Sequence, residues 1–149
     1  MPTFRTASEE ETIALGEQLA HALPRRAVVL LIGNLGAGKT TLAKGIVKGL
    51  GAGEPDEVAS PTFTLIHEYP LADPAGAGRQ KVYHIDLYRL DKANEAARLG
   101  MDELFEKDDV VLIEWAEKFP ELMPAERIEI RIAAGDGDQR EITVKRIKT

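Results

Sequence analysis

The apolar positions along the chain change period several times, and each change marks an element. Ser8 to Glu11 reads Ser-x-x-Glu, the reciprocal capping pattern of a helix start, and Ile13, Leu19, Ala20 and Leu23 then recur at helical spacing. This predicts a first helix that ends near Pro24. Residues 27–32 are continuously apolar, as a strand covered on both faces must be. A second helix is predicted to start near Lys39, carrying Leu42, Ile46, Val47 and Leu50 on one side, with Gly49, Gly51 and Gly53 punctuating its exit. Segments 62–69 and 81–88 are rich in β-formers and flank a Pro/Gly-rich turn at 73–78, which predicts an antiparallel pair. Residues 92–99 and 101–105 read as short helices. Residues 110–113 form another apolar strand that ends at Glu114 and Trp115. Finally, 127–132 and 141–147 alternate apolar with polar residues around a Gly-Asp-Gly-Asp turn at 135–138, the pattern of a half-exposed hairpin.

The junction between the first strand and the second helix carries chemistry. Gly33 to Thr40 reads Gly-Asn-Leu-Gly-Ala-Gly-Lys-Thr and fits the phosphate-loop pattern G-x-x-x-x-G-K-[ST] directly after an apolar strand. Gly36 and Gly38 leave backbone N–H groups free to surround an anion, and the helix that follows adds the positive end of its dipole. Lys39 then reaches the β- and γ-phosphates, while the Thr40 hydroxyl is placed to ligate Mg²⁺. The chain reads as a nucleoside triphosphate binder. The expected fold is α/β: a single P-loop NTPase-type domain over residues 1–149, with a mixed parallel/antiparallel sheet flanked by helices.

Composition narrows the function further. At 149 residues the chain has room for one active centre, and 44% apolar with 30% charged residues is a globular balance. No apolar run reaches the length of a membrane span, and Glu9, Glu10 and Glu11 stand where a signal peptide would be basic and apolar. A cytoplasmic protein without membrane contact is expected. The absence of cysteine excludes thiolate zinc sites and cysteine nucleophiles, and His21, His67 and His84 are too few and scattered for an imidazole metal site. Any metal is expected to be Mg²⁺ brought in with nucleotide. The net charge of −6 lacks the basic footprint of a protein that grips nucleic acid alone, so in RNA chemistry a partner would hold most of the RNA.

Phosphate-loop enzymes need a second anionic group near the metal, usually an acid at the end of a neighbouring strand. Asp86, in His-Ile-Asp-Leu-Tyr-Arg, and Glu114, after Val-Val-Leu-Ile, compete for that role. Either can hold Mg²⁺ through water or orient the attacking water, and its strand-end position favours Glu114 as the group nearer the metal. Ser60-Pro-Thr62-Phe-Thr64 lies where a hydroxyl can sense a γ-phosphate, and equally where a turn feeds a strand. Trp115 and Phe119 read as packing residues, and His84 as a strand histidine with one hydrogen bond. Of the arginines at 25, 26, 79, 89 and 98, only Arg89, close to Asp86, is a functional candidate. Asp73-Pro-Ala-Gly76 mimics a GTPase D-x-x-G, but no N-K-x-D follows, which argues against guanine specificity. A small-molecule kinase would share the loop, yet it needs an arginine-rich lid and an acceptor pocket that the sequence does not display. A nucleotide-gated binding module would differ from a slow ATPase only in rate.

Together Gly-Asn-Leu-Gly-Ala-Gly-Lys-Thr-Thr41, Ser-Pro-Thr-Phe-Thr-Leu65, His-Ile-Asp-Leu-Tyr-Arg-Leu90 and Leu-Ile-Glu-Trp115 closely resemble the TsaE (YjeE) family, in order and over nearly the whole chain. The resemblance implies an ATPase that supports synthesis of threonylcarbamoyladenosine beside the tRNA anticodon. It would act with TsaB and TsaD, TsaD transferring the threonylcarbamoyl group made by TsaC, and tRNA would be met mainly through that complex. It implies that Gly36, Ala37, Gly38, Lys39, Thr40 and Thr41 bind the ATP phosphates, that Thr40 and Glu114 hold Mg²⁺, and that Asp86 supports hydrolysis. It also places Glu9, at the start of the first helix, and Gly137, in the last hairpin, around the nucleotide. Asn34 departs from the family, which commonly has Asp there; the backbone cradle is kept and a charge is lost.

Overall fold

A computed structural model describes residues 2–61, 64–70 and 81–148. Along the chain run β1 (Thr3–Thr6), α1 (Glu9–His21), β2 (Ala27–Ile32), α2 (Lys39–Gly49), β3 (Ile66–Pro70) and β4 (Lys81–Asp86). They are followed by the short helices α3 (Ala93–Ala97) and α4 (Met101–Phe105), then β5 (Val110–Glu114), β6 (Arg127–Ala134) and β7 (Arg140–Ile147). The strands form one sheet in the order β1-β7-β6-β2-β5-β4-β3. Its centre, β6-β2-β5-β4, is parallel, and β1, β7 and β3 add antiparallel edges. This is the mixed, helix-flanked α/β sheet that the periodicity predicts.

β2 and β5 are continuously apolar because both of their faces are covered. On one face Val29, Leu31, Leu112 and Ile130 pack beneath Leu15, Leu42, Ile46 and Val47 of α1 and α2. On the other, Val28, Leu30, Val111 and Ile113 meet Ala96, Met101, Ala116 and Phe119. α1 and α2 approach each other through glycine. A Cβ at Gly45 would collide with the Ile13 carbonyl and lie 2.9 Å from the Gly16 Cα, so only hydrogen fits there. This contact holds the middle of α1 against the middle of α2, the helix that follows the phosphate loop.

Several boundaries differ from the sequence reading for local reasons. α1 begins as predicted, with Glu11 N–H on Ser8 Oγ and Ala7 N–H on Glu11 Oε1, but it stops at His21, before Pro24. β3 begins only at Ile66, because Leu65 takes a left-handed φ of 71° and its N–H closes a turn on the Pro61 carbonyl. β4 ends at Asp86, whose Oδ1 accepts from the Tyr88 N–H and turns the chain. The predicted antiparallel pairing of β3 with β4 is present, Ile66 opposite Ile85. The hairpin of β6 and β7 is present as well, but β6 also runs parallel to β2 and buries Ile128, Ile130 and Ile132. Four-residue β1 was not legible in the pattern. Thr62, Phe63, Asp73, Gly76 and Arg79 lie outside the described residues.

Candidate functional site

A cleft of about 450 Å³ opens at the C-terminal end of the parallel strands, a size suited to a small organic ligand. The phosphate loop forms one wall. Gly38 precedes α2 with φ 106°, a conformation that would strain any other residue, and no side chain caps the helix. The first N–H groups of α2 therefore face the cleft without a side-chain competitor.

Lys39 is 5% exposed and turned inward. Its ammonium donates to the Gly33 carbonyl at 2.8 Å and lies 3.3 Å from the centroid of the Trp115 ring, a close cation–π contact. Burial lowers the Lys39 pKa from its ordinary 10.5, and the Glu117, Glu114 and Asp86 carboxylates partly restore it. Trp115 reaches this position because its own φ is 64°, an uncommon left-handed value for a bulky residue. Tyr88 stacks obliquely on it, ring centres 5.0 Å apart.

The carboxylates come from neighbouring strands in register, Asp86 of β4 opposite Glu114 of β5. Both are nearly buried, each 3% exposed. Thr40 donates its hydroxyl proton to Glu114, 3.0 Å from Oε2 and 3.2 Å from Oε1. His84 Nε2 lies 2.6 Å from the same Oε2. Asp86 accepts from the Ser60 hydroxyl at 2.6 Å and from the Tyr88 N–H at 2.9 Å. Among the described residues no three acidic or imidazole groups converge as a self-contained metal cage. The Thr40 hydroxyl and Glu114 carboxylate are hard oxygen donors, a pair whose chemistry fits Mg²⁺ and which would hold it together with further oxygen ligands.

Of the residues singled out in the sequence, Glu9, Gly36, Gly38, Lys39, Thr40, Thr41, Asp86 and Glu114 all line this cleft. Ala37 and Gly137 are not in its wall. Ala37 is 3% exposed with its N–H on the Asn34 carbonyl, and Gly137 contributes its own carbonyl to a neighbour's hydrogen bond. Ser60 lines the cleft, whereas Arg89 is exposed and stands outside it. Phe119 and Trp115 both pack against the core as expected, and the partly buried Trp115 ring also covers Lys39.

Sequence reasoning missed Arg140. It starts β7 just after the 135–138 turn, and its guanidinium reaches back over the loop, 3.5 Å from the Gly36 carbonyl and against Gly38. Nη1 donates to the carbonyls of Gly137 at 2.8 Å and Gln139 at 2.7 Å. The one available signal was an arginine flanking a Gly/Asp turn. Thr12 was missed too; it lines the cleft beside Glu9 and hydrogen-bonds Thr6 at 2.7 Å.

The sequence and the overall fold recur in relatives. The family described as "Threonylcarbamoyl adenosine biosynthesis protein TsaE" matches residues 6–142. The chain is 42% identical to the tRNA threonylcarbamoyladenosine biosynthesis protein TsaE of Bacillus subtilis over 94% of this chain and 82% of that one. It is 40% identical to the protein of the same name from Nostoc sp., over 93% and 82% of the two chains. A crystal structure of YdiB from Bacillus subtilis superimposes with a TM-score of 0.76 at 36% identity, covering 99% of this chain and 86% of that one. The chain belongs to the TsaE family.

Proposed function

We propose that this protein binds ATP with Mg²⁺ in the cleft, hydrolyses it slowly on its own, and in doing so supports the threonylcarbamoyladenosine modification of tRNA beside the anticodon. TsaB and TsaD are its proposed partners, holding most of the tRNA, in the cytoplasm. The observation that carries the reading is the convergence of Lys39, Thr40 and Glu114 at the head of α2, inside a family whose members bear that biosynthetic name. Among the described residues no helix is long and apolar enough to cross a membrane.

Each role follows from position. The open N–H groups at the head of α2 hold phosphate oxygens. Lys39 exchanges the Gly33 carbonyl and the Trp115 ring for the β- and γ-phosphates, becoming charge-paired instead of merely buried. Arg140, lying over the loop from the start of β7, adds a second cation. Thr40 and Glu114 would hold Mg²⁺, which when bound offsets phosphate charge. Asp86, fixed by Ser60 and the Tyr88 N–H, accepts a hydrogen bond from the attacking water and orients it toward the γ-phosphorus. Among the described residues nothing closes over the cleft to exclude bulk water, which supports a partner completing the catalytic set.

The test is phosphate release from ATP with and without purified TsaB and TsaD, alongside multiple-turnover tRNA modification. Stimulation by the pair, and a requirement for intact Lys39 in repeated modification, are expected. Modification that proceeds equally without this chain overturns the assignment, and stoichiometric γ-phosphate transfer to a small acceptor would replace it with kinase chemistry.

A further inference from the structure

β4 carries two polar side chains on the same face at alternate positions, Asp86 and His84, and the second has no role in the reading above. It is fully buried, at 0% exposure, diagonal to Glu114 on the neighbouring strand. Its Nε2 meets Glu114 Oε2 at 2.6 Å, shorter than an ordinary N–H···O bond and typical of one with charge assistance. An ionised carboxylate only accepts, so the imidazole donates. The other ring nitrogen, Nδ1, is buried with no hydrogen-bond partner among the described residues, so a proton placed there would be unpaired. The ring therefore carries its proton on Nε2.

The terminal torsion of a glutamate is broad and close to two-fold, so burial alone does not choose the plane of the carboxylate. Thr40 does not choose it either, because its hydroxyl sits at nearly equal distances from both oxygens, 3.0 and 3.2 Å. His84 does break the tie, since it engages Oε2. We propose that His84 is a positioning residue: its Nε2–H pins Oε2 of Glu114, sets the plane of the carboxylate, and leaves Oε1 directed with the Thr40 hydroxyl toward the metal accompanying nucleotide. The inference rests on the Mg²⁺-ATP reading of the cleft. It makes the His-Ile-Asp segment a two-part device, with Asp86 toward water and His84 behind the metal-linked acid.

Two substitutions and one spectrum test it on the full chain. His84→Leu keeps volume and removes the donor, whereas His84→Gln returns an amide N–H near the place of Nε2. Calorimetric titration should find ATP affinity without Mg²⁺ unchanged in both. The Mg²⁺ concentration that half-saturates the ATP-bound protein should rise about 10- to 100-fold in the Leu variant, the usual scale for losing a partner behind a metal ligand, and return close to wild type with Gln. If the Leu variant does not fold, the ¹⁵N spectrum of the unaltered protein decides: His84 must be protonated on Nε2, before and after addition of Mg²⁺-ATP. A wild-type Mg²⁺ response in the Leu variant, equal losses in Leu and Gln variants, or a proton on Nδ1 would overturn the proposal. Wild-type protein that binds no Mg²⁺-ATP would overturn the functional reading with it, whereas normal binding with unaffected variants would remove this inference alone.

Discussion

Arg140→Ala removes a cation that approaches the phosphate loop from outside it. The guanidinium bonds to neutral carbonyls, at 2.8 Å to Gly137, 2.7 Å to Gln139 and a weak 3.5 Å to Gly36. Losing those contacts at the half-exposed start of β7 should change stability by no more than about 0.5 kcal/mol, as for other surface substitutions. The functional effect is larger. A guanidinium-to-phosphate hydrogen bond contributes about 1.5–3 kcal/mol, so ATP and ADP should bind the variant about 10- to 150-fold more weakly. Adenosine, which carries no phosphate, should be almost unaffected. Arg140→Lys should fall between, because it keeps the charge and loses the planar fork. The difference between wild type and the Ala variant should also shrink as salt rises and screens an exposed pair. Calorimetry with the three ligands at two ionic strengths measures all of this. ADP affinity unchanged in Arg140→Ala, or a loss shared equally by adenosine, would refute the view that Arg140 turns from loop carbonyls to phosphate.

Three further expectations follow from the same geometry. Glu114→Ala should abolish the Mg²⁺-dependent part of ATP affinity, whereas Asp86→Ala should keep nucleotide bound and slow hydrolysis by about 10²-fold or more; metal titration and single-turnover assays separate them. Because burial lowers the Lys39 pKa from 10.5, the unfolded chain holds this proton to higher pH than the folded one, so the Lys39 contribution to stability rises with pH across the window below 10.5. Phosphate charge should push that pKa back up, so ATP binding in alkaline buffer takes up a fraction of a proton, measurable as a dependence of the binding heat on the buffer, and proton release would contradict it. Gly45→Ala should cost about 3 kcal/mol or more, since its Cβ meets backbone of α1 that cannot swing aside; an unchanged melting temperature would show that the two helices part easily.

What the sequence made legible were elements whose signal is local and whose burial is uniform. β2, α2 and β5 fall where the apolar pattern predicts because each is packed on the faces that the pattern names. The phosphate loop with its lysine and threonine is a contiguous motif, so Lys39 and Thr40 needed no tertiary information. Glu114 was found through its position after an apolar strand. His84 and Arg140 could not be weighed in the same way. The first has meaning only because β4 lies beside β5 in a register that sets it diagonal to Glu114. The second depends on β6 pairing with β2, which carries the 135–138 turn to the phosphate loop, a hundred residues away in sequence. Trp115 packs against the core as its reading predicts, but the left-handed φ that also lays its ring over Lys39 is not visible in the residue pattern.

Apart from the open N–H groups at the head of α2, the polar side chains assigned to the phosphates, the metal and the water each have an internal partner. Lys39 has the Gly33 carbonyl and the Trp115 ring, Thr40 has Glu114, Arg140 has the hairpin carbonyls, and Asp86 has Ser60. Without such partners a buried lysine and two nearly buried carboxylates would be severely destabilising. On the proposed function ATP would replace bonds already made, and its net affinity would be the difference between phosphate contacts and those contacts. The exchange is most favourable for Lys39, which trades a neutral carbonyl and a ring for anionic oxygens. It is least favourable for Asp86, which keeps Ser60 and the Tyr88 N–H and must still hold a water above an open cleft. On the proposed function the protein alone should bind well and turn over poorly. A surface that closes the cleft would shift Asp86 most, so stimulation by a partner should act mainly on the catalytic rate and little on ATP affinity.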